Sequence, residues 1–373
     1  MTPGTLEEPF PGRTAVAPRI VAILPCAEPV TGGVQADHAI LAELRDRGWT
    51  VETLYFARTS ARAMSARWWT QLLAGLRLAW QLRRLPAGAI LLEDHALSLA
   101  VALGNWYARR FRGARVVMIV YHLSYLLWKH PFRRELHRVV EAREARRADR
   151  LLVSSRHTWK ELRALGVEDH RVRLISLGVR APERAPVSPA YATGKTTRLL
   201  SVGTVEPRKG LHFLVQALAL LRDEPWELEI AGGADGRYLG RLTQLIGRLA
   251  LADRIQLLGR VTDEHLEELM ARADIFVHPS LQEGFGLAVG EAMAHGLPVI
   301  ASSGGALGEM VEDGRTGLLV RSASPDDLAV AIRRLIHDPE LRRSLGEAAA
   351  QTVSGRYSWQ KTGAQVDAAL REL

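Results

Sequence analysis

The sequence predicts two doubly wound α/β domains in tandem. Three observations carry this: the length, an alternation of short apolar runs with longer helical patterns, and a Pro/Ser/Thr-rich break near the middle. At 373 residues the chain exceeds one ordinary domain and suits two, each able to bury its own core. Strand-length apolar runs alternating with helical periodicity are the pattern of parallel sheets joined by helices. In the first half the expected strands are residues 19–25, 50–56, 89–93, 115–121, 150–155 and 171–179. The stretch "RAPERAPVSPAYATGKTT" (180–197) is nearly free of large apolar residues and reads as a linker. The alternation then restarts at 198–203, 226–232, 254–259, 274–280, 297–303 and 316–322. The expected first domain is 1–180, the linker 181–197, and the second domain 198–355.

Composition narrows the class. A hydrophobic share of 47% and a charged share of 24% are those of a soluble globular protein. Cys26 is the single cysteine, so no intrachain disulfide is possible and a reducing, cytoplasmic setting is expected. The first 18 residues, Pro/Gly-rich and acidic, read as a loose tail rather than a signal peptide. No apolar run approaches the roughly 18 residues of a spanning helix. The net charge of +8 is uneven, with residues 58–150 carrying 18 Lys+Arg against 6 Asp+Glu. That asymmetry suits an anionic partner such as lipid headgroups, nucleic acid or a phosphorylated substrate. Only five of the 49 basic residues are lysines, which favours a compositional origin instead. Within the basic half, residues 66–85 set Trp69, Leu72, Leu73, Leu76 and Trp80 at helical spacing among Arg67, Arg77, Arg83 and Arg84. Such a helix suits a membrane interface, with residues 133–150 broadening the patch, or packs its stripe on the sheet.

Open α/β sheets bind ligands beyond the carboxyl ends of their strands, which selects the loops worth reading. After "RLLSVG" comes "TVEPRKG", where Arg208 and Lys209 stand at the start of a helix, a place that already favours an anion. After "DIFVHPS" comes "LQEGFG" and then the short helical pattern "LAVGEAMAHG". Its glycines leave the amides of Gly286, Leu287 and Ala288 free at a helix start. Glu283 lies in that loop, facing the cleft. Glu291 lies over a turn into the helix among apolar neighbours, and a partly buried carboxylate there needs a cationic or hydrogen-bonding partner such as a ligand diol.

From 274 to 320 the sequence "DIFVHPSLQEGFGLAVGEAMAHGLPVIASSGGALGEMVEDGRTGLLV" resembles the retaining glycosyltransferases of GT-B fold, the glycosyltransferase group 1 family. The similarity continues in "SVGTVEPRKGLHFLVQAL" (201–218) and "VTGGVQADHAILAELRDRGWTV" (30–51). The resemblance implies two Rossmann-like domains facing across a cleft, the first for acceptor and the second for nucleotide sugar, with 356–373 as a helix packing back on the first. It implies that Glu283 contacts the transferred sugar and Glu291 the ribose diol, while Lys209 and the amides of Gly286, Leu287 and Ala288 hold the departing diphosphate. It further implies that Gly32 and Gly33 form a glycine loop beside the phosphates and acceptor, and that His122 lies near the transferred sugar. One departure stands out: the family commonly carries Arg where this chain has Thr204, so Arg208 is the remaining candidate for a second cation.

The expected activity is metal-independent, retaining hexosyl transfer from a nucleoside diphosphate sugar to a lipid, lipid-linked or saccharide acceptor, in cell-envelope glycolipid or polysaccharide synthesis. No D-x-D motif is present to hold a divalent metal, and no cofactor is expected beyond the donor itself. An anionic membrane surface is an expected partner, placing the protein in the cytoplasm and peripherally on the inner membrane face, and nucleic acid is not. The alternative is a non-catalytic membrane- or nucleic-acid-binding protein of the same fold, which would not explain Glu283, Glu291 and Lys209 on matching strand ends. A nicotinamide-dependent oxidoreductase is disfavoured because "GGVQADH" is no G-x-G-x-x-G and no acidic residue ends the second strand.

Overall fold

The computed structural model describes residues 19–27, 31–57, 68–127, 130–180, 182, 196–234 and 236–373. The first half runs β1 (Arg19–Cys26), α1 (Gly32–Asp46), β2 (Thr50–Ala57), α2 (Trp68–Gln81), β3 (Ile90–Asp94), α3 (Ser98–Arg112), β4 (Arg115–Val120), α4 (Pro131–Arg147), β5 (Arg150–Val153), α5 (Arg156–Ala164) and β6 (Val172–Leu174). Its sheet has the order β2-β1-β3-β4-β5-β6 with all pairings parallel. The winding reverses between β1 and β3, so a crevice opens at their carboxyl ends.

The second half repeats the design with β7 (Thr197–Val202), α6 (Leu211–Ala219), β8 (Trp226–Ala231), α7 (Gly236–Arg248), β9 (Ile255–Gly259), α8 (Asp263–Arg272), β10 (Ile275–His278), α9 (Leu287–Ala294), β11 (Val299–Ser302), α10 (Leu307–Met310), β12 (Leu318–Val320), α11 (Pro325–His337), α12 (Pro339–Ser354) and α13 (Trp359–Arg371). The strand order is β12-β11-β10-β7-β8-β9, again all parallel. Here the reversal lies between β7 and β10, whose following loops hold Lys209 and Glu283.

Strands buried on both faces explain the continuous apolar runs. Residues Ile20 to Leu24 of β1 and all four of β10 are buried. Helices open on side-chain caps where the sequence supplies them: Thr31 accepts from the Val34 amide, Ser155 from Thr158 and Thr262 from His265. The last helix, α13, lies on α1 of the first half. Trp49 Nε1 donates to Asp367 Oδ1 at 2.7 Å, and the Arg47 guanidinium donates to the Gln360 carbonyl at 2.7 Å.

Two strand expectations need correction. Residues 171–179 pair only over Val172–Leu174. Beyond that point the backbone turns to α13: the Ser176 amide donates to Gln365 Oε1 at 2.8 Å, and its carbonyl accepts from Thr362 Oγ1. The expected strand 274–280 likewise stops at His278, since Pro279 has no N–H for the ladder. The tail before Arg19, linker residues 183–195, Arg67 and the side chains of Trp69, Leu72 and Leu73 lie outside the described residues. No helix among the described residues is long and apolar enough to cross a membrane.

Candidate active site

The loop after β10 and the turn before α6 meet through a glycine. Gly210 has φ +66°, and a Cβ there would fall 2.1 Å from the Pro279 carbonyl oxygen. Only glycine permits that approach, and it sets Lys209 against the β10 loop. Lys209 Nζ donates to Glu283 Oε1 at 2.5 Å. The same oxygen accepts from Ser280 Oγ at 2.8 Å and lies 3.0 Å from His278 Nε2 and 3.3 Å from an Arg208 nitrogen. Burial alone would raise the Glu283 carboxyl, but Lys209 and Arg208 hold it well below the usual carboxylate range. Burial and Arg208 lower Lys209 in turn, against the pull of Glu283. Glu283 is therefore an anion kept charged by two partly buried cations.

Arg208 is shared. Its guanidinium donates to Glu206 Oε1 and to the Gln282 carbonyl, both at 2.8 Å, as well as facing Glu283. Thr204 is partly buried on the adjoining turn, where Gly203 lies against the Lys209 side chain. Lys209 and Arg208 are thus two cations that the structure brings against Glu283.

Helix α9 opens at Gly286, whose φ of +96° directs the chain into the first turn without a side-chain cap. The early amides of the helix, at Leu287 and Ala288, are then available to an anion. Glu291, on the next turn, is partly buried beside a small hollow lined by Arg180, Leu266, Glu267, Met270, Glu291 and His295. Burial pushes its carboxyl up to about 7, with Arg180 and His295 partly opposing. Arg180 itself pairs with Asp263 at 2.9 Å, and His295 Nε2 lies 2.9 Å from Glu267 Oε2. The two glutamates of one loop-helix unit thus sit in contrasting environments.

The first domain closes the site from the other side. A Cβ on Gly32 would lie 3.4 Å from Leu287, so the start of α1 abuts the start of α9. Gly33 packs on the Tyr121 ring. The Tyr121 carbonyl would lie 1.8 Å from a Cβ on Gly284, and Ser154 Oγ donates to the Gly284 carbonyl at 3.1 Å. His122 follows directly, pushed down to about 4 by burial and by Arg208 across the cleft, with Glu283 opposing. The loop ends expected from sequence are therefore brought together: Gly32, Gly33 and His122 from one sheet, Arg208, Lys209, Glu283 and the α9 start from the other.

Four neighbours were not expected. Asp37 Oδ1 accepts from Tyr121 Oη at 2.7 Å, and burial followed by Asp94 raises the Asp37 carboxyl well above its usual range. Asp94, lifted to about 6 by burial, accepts from the Ala96 amide at 2.8 Å. Burial and then His122 push His95 down to about 3. His278 is the fourth. A signal for three of them was present: Asp94 and His95 directly follow the strand expected at 89–93, where the carboxyl-end rule pointed, and His278 lies in the expected strand 274–280.

Residues 189–352 match the family described as glycosyl transferases group 1. The match takes in most of the second half of the chain. The group 1 region holds Thr204, Arg208, Lys209, Glu283, Gly286 and Glu291. Curated relatives include the MMP alpha-(1->4)-mannosyltransferase of Mycolicibacterium hassiacum, 33% identical over 245 residues, 64% of this chain and 58% of the relative. A D-inositol 3-phosphate glycosyltransferase of Streptomyces bingchenggensis is 33% identical over 234 residues, 58% of this chain and 51% of that one. The chain thus spans little more than half the length of these relatives. Among solved structures, sucrose-phosphate synthase from Thermosynechococcus elongatus superposes with a TM-score of 0.81 over 95% of this chain and 98% of that one, at 23% identity. Anabaena HepE in complex with UDP and glucose superposes with a TM-score of 0.79 at 21% identity, covering 95% of this chain and all of that one, 100%. Around the group 1 region the whole described chain therefore has the GT-B fold.

Proposed function

We propose that the chain is a metal-independent, retaining glycosyltransferase, moving a hexosyl group from a nucleoside diphosphate sugar to a lipid, lipid-linked or saccharide acceptor in cell-envelope glycolipid or polysaccharide synthesis. It works in the cytoplasm, peripheral to the inner membrane face. The observation that carries this reading is the convergence of Lys209, Arg208 and the α9 amides on one side of a cleft whose other side offers His122 and the glycine loop. HepE, of the same fold, was solved with UDP and glucose, which supports the donor class.

In this reading the ribose diol donates to Glu291 and the diphosphate lies on the α9 start beside Lys209. Glu283, anionic at neutral pH, accepts from hydroxyls of the transferred sugar. As the C1–O bond to the diphosphate breaks, charge grows on the departing oxygen, and Lys209, Arg208 and the amides stabilise it. The acceptor oxygen bonds to C1 on the face the phosphate is leaving and gives its proton to a departing phosphate oxygen. No enzymic nucleophile is needed, and the absence of a D-x-D motif leaves the leaving-group charge to these cations. His122, neutral at physiological pH, can donate a hydrogen bond to the sugar without adding charge.

A hydrolysis screen of nucleotide sugars, followed by an acceptor screen with the donor that is turned over, tests the proposal. Thermal shift with UDP, GDP and ADP gives the first discrimination: a transferase is stabilised by its own diphosphate, and a scaffold ignores all three.

A further inference from the structure

Exposed apolar side chains on this protein are concentrated on one face. Thirteen large hydrophobic residues stand exposed among those described, and eight of them lie on α2, α3 and α4. These three helices are neighbours on the first sheet, α2 packed along α3 and α3 along α4. Trp80 on α2 is 56% exposed, Trp106 on α3 54% and Phe132 on α4 72%. With Phe132, Leu136 and Val139 make an i, i+4, i+7 stripe that points outward. The core does not need these residues, because Leu78, Leu82 and Leu85 supply the buried stripe at α2 and the turn after it.

Charge on the same face has one sign. Arg77, Arg83, Arg84 and Arg110 are exposed, and α4 adds six more exposed arginines between 133 and 147. Glu135 is the exposed carboxylate described on the three helices, and Arg138 covers it at 2.6 Å; Glu141 and Glu144 are buried. The Arg84 guanidinium stands 5.4 Å over the Trp80 ring and that of Arg110 5.5 Å over Phe111. Rings and aliphatic tips standing among cations match the boundary of an anionic bilayer, where apolar groups enter the acyl edge and guanidinium groups meet lipid phosphates. A nucleic acid would leave the aliphatic stripe without a partner.

We infer that the outer face of α2, α3 and α4 docks on an anionic lipid bilayer. α4 begins at Pro131, just past the loop that carries His122, so docking brings the acceptor side of the cleft to the headgroup surface. The inference gives a surface and a partner to the membrane placement proposed above, and it stands whether or not the cleft is catalytic.

The test is flotation of the full chain with vesicles of phosphatidylcholine alone and of phosphatidylcholine mixed with phosphatidylglycerol. Binding to the mixed vesicles at low salt, weaker at high salt and weak to neutral vesicles, is expected. Binding should fall on the order of tenfold or more in Trp80→Ser/Trp106→Ser/Phe132→Ser and in Arg133→Glu/Arg134→Glu/Arg138→Glu. Phe132→Ser alone repeats the comparison at the most exposed site if a triple variant fails to fold. Melting temperature and nucleotide thermal shift are read in parallel, so loss of nucleotide response with vesicle binding intact strikes the cleft reading and not this one. Failure of the wild type to bind mixed vesicles at low salt, equal binding to neutral vesicles, or variants that bind as the wild type does overturns the inference. So does concentration-dependent self-association, lost in the apolar triple variant, without vesicle binding, which assigns the face to a second copy of the chain.

Discussion

Lys209 stands at the point where two demands meet, balancing Glu283 at 2.5 Å while lying beside the helix start that suits a diphosphate. Lys209→Ala should slow transfer on the order of 10²-fold or more, as removal of a transition-state donor does, and activity in EDTA should stay full. Dependence on added Mn²⁺, or near-normal turnover in the variant, would contradict the charge assignment. Glu291 gives a pH-dependent prediction. Its carboxyl is raised to about 7, and a diol needs the ionised form as acceptor, so nucleotide affinity should gain from rising pH through that value. Titrating Glu291→Gln alongside removes the ionisation of the ligand itself: the wild-type to Gln affinity ratio should grow between about pH 6 and pH 8, and a flat ratio counts against the role. A third residue tests the first domain. Glu93 is buried, accepts from Asn105 at 2.9 Å, and is raised to about 8, first by burial. Its unfolded form ionises near the ordinary value, so the wild type loses stability as pH rises from about 4.5 to about 8. Glu93→Gln should therefore raise the melting temperature at pH 8 and change it little at pH 5.

At the scale of elements, loops rather than strands make the site, and glycines decide how close the loops come. Gly284→Ala would drive a Cβ to 1.8 Å from the Tyr121 carbonyl, and the two domains would have to part. Transfer should fall at least tenfold, by the sensitivity of such reactions to ångström-scale misplacement, while nucleotide binding to the second domain stays near normal. A kinetic assay beside a binding titration separates the two. Much of this level was legible in the sequence. The apolar runs marked the strands, the carboxyl-end rule marked the loops after β7 and β10, and the glycine turn marked the start of α9. Partnerships were less legible. Asp37 and Tyr121 are 84 residues apart, and only the parallel sheet order brings α1 beside the end of β4. His278 and Ser280 stood in the motif itself, yet their turn toward Glu283 depends on how the chain leaves β10 at Pro279. In α2 the helix is apolar on several faces, so spacing did not separate the buried Leu78 from the exposed Leu76 and Trp80.

Across the whole molecule, two parallel sheets put their switch points face to face, and α13 returns to α1 so that the chain's end is built into the first domain. One hydrophobic cluster runs through both halves, from Ile20 and Ile40 to Val289 and Val366. That continuity holds the loops of the two sheets at a defined approach, as the proposed transfer requires. The two sheets were readable from the alternation of apolar runs with helical patterns. The path of residues 175–180 under α13 was not, because its hydrogen bonds go to residues almost two hundred positions on. The central claim is that the cleft holds a nucleoside diphosphate through Glu291 and handles the sugar through Glu283. Calorimetric titration of UDP, GDP and ADP into the wild type, Glu291→Ala and Glu283→Ala tests it most directly. The account predicts that one diphosphate binds the wild type, that Glu291→Ala weakens it about 10- to 100-fold through loss of charged hydrogen bonds, and that Glu283→Ala leaves it largely intact. No diphosphate binding by the wild type, or equal loss in both variants, would contradict it.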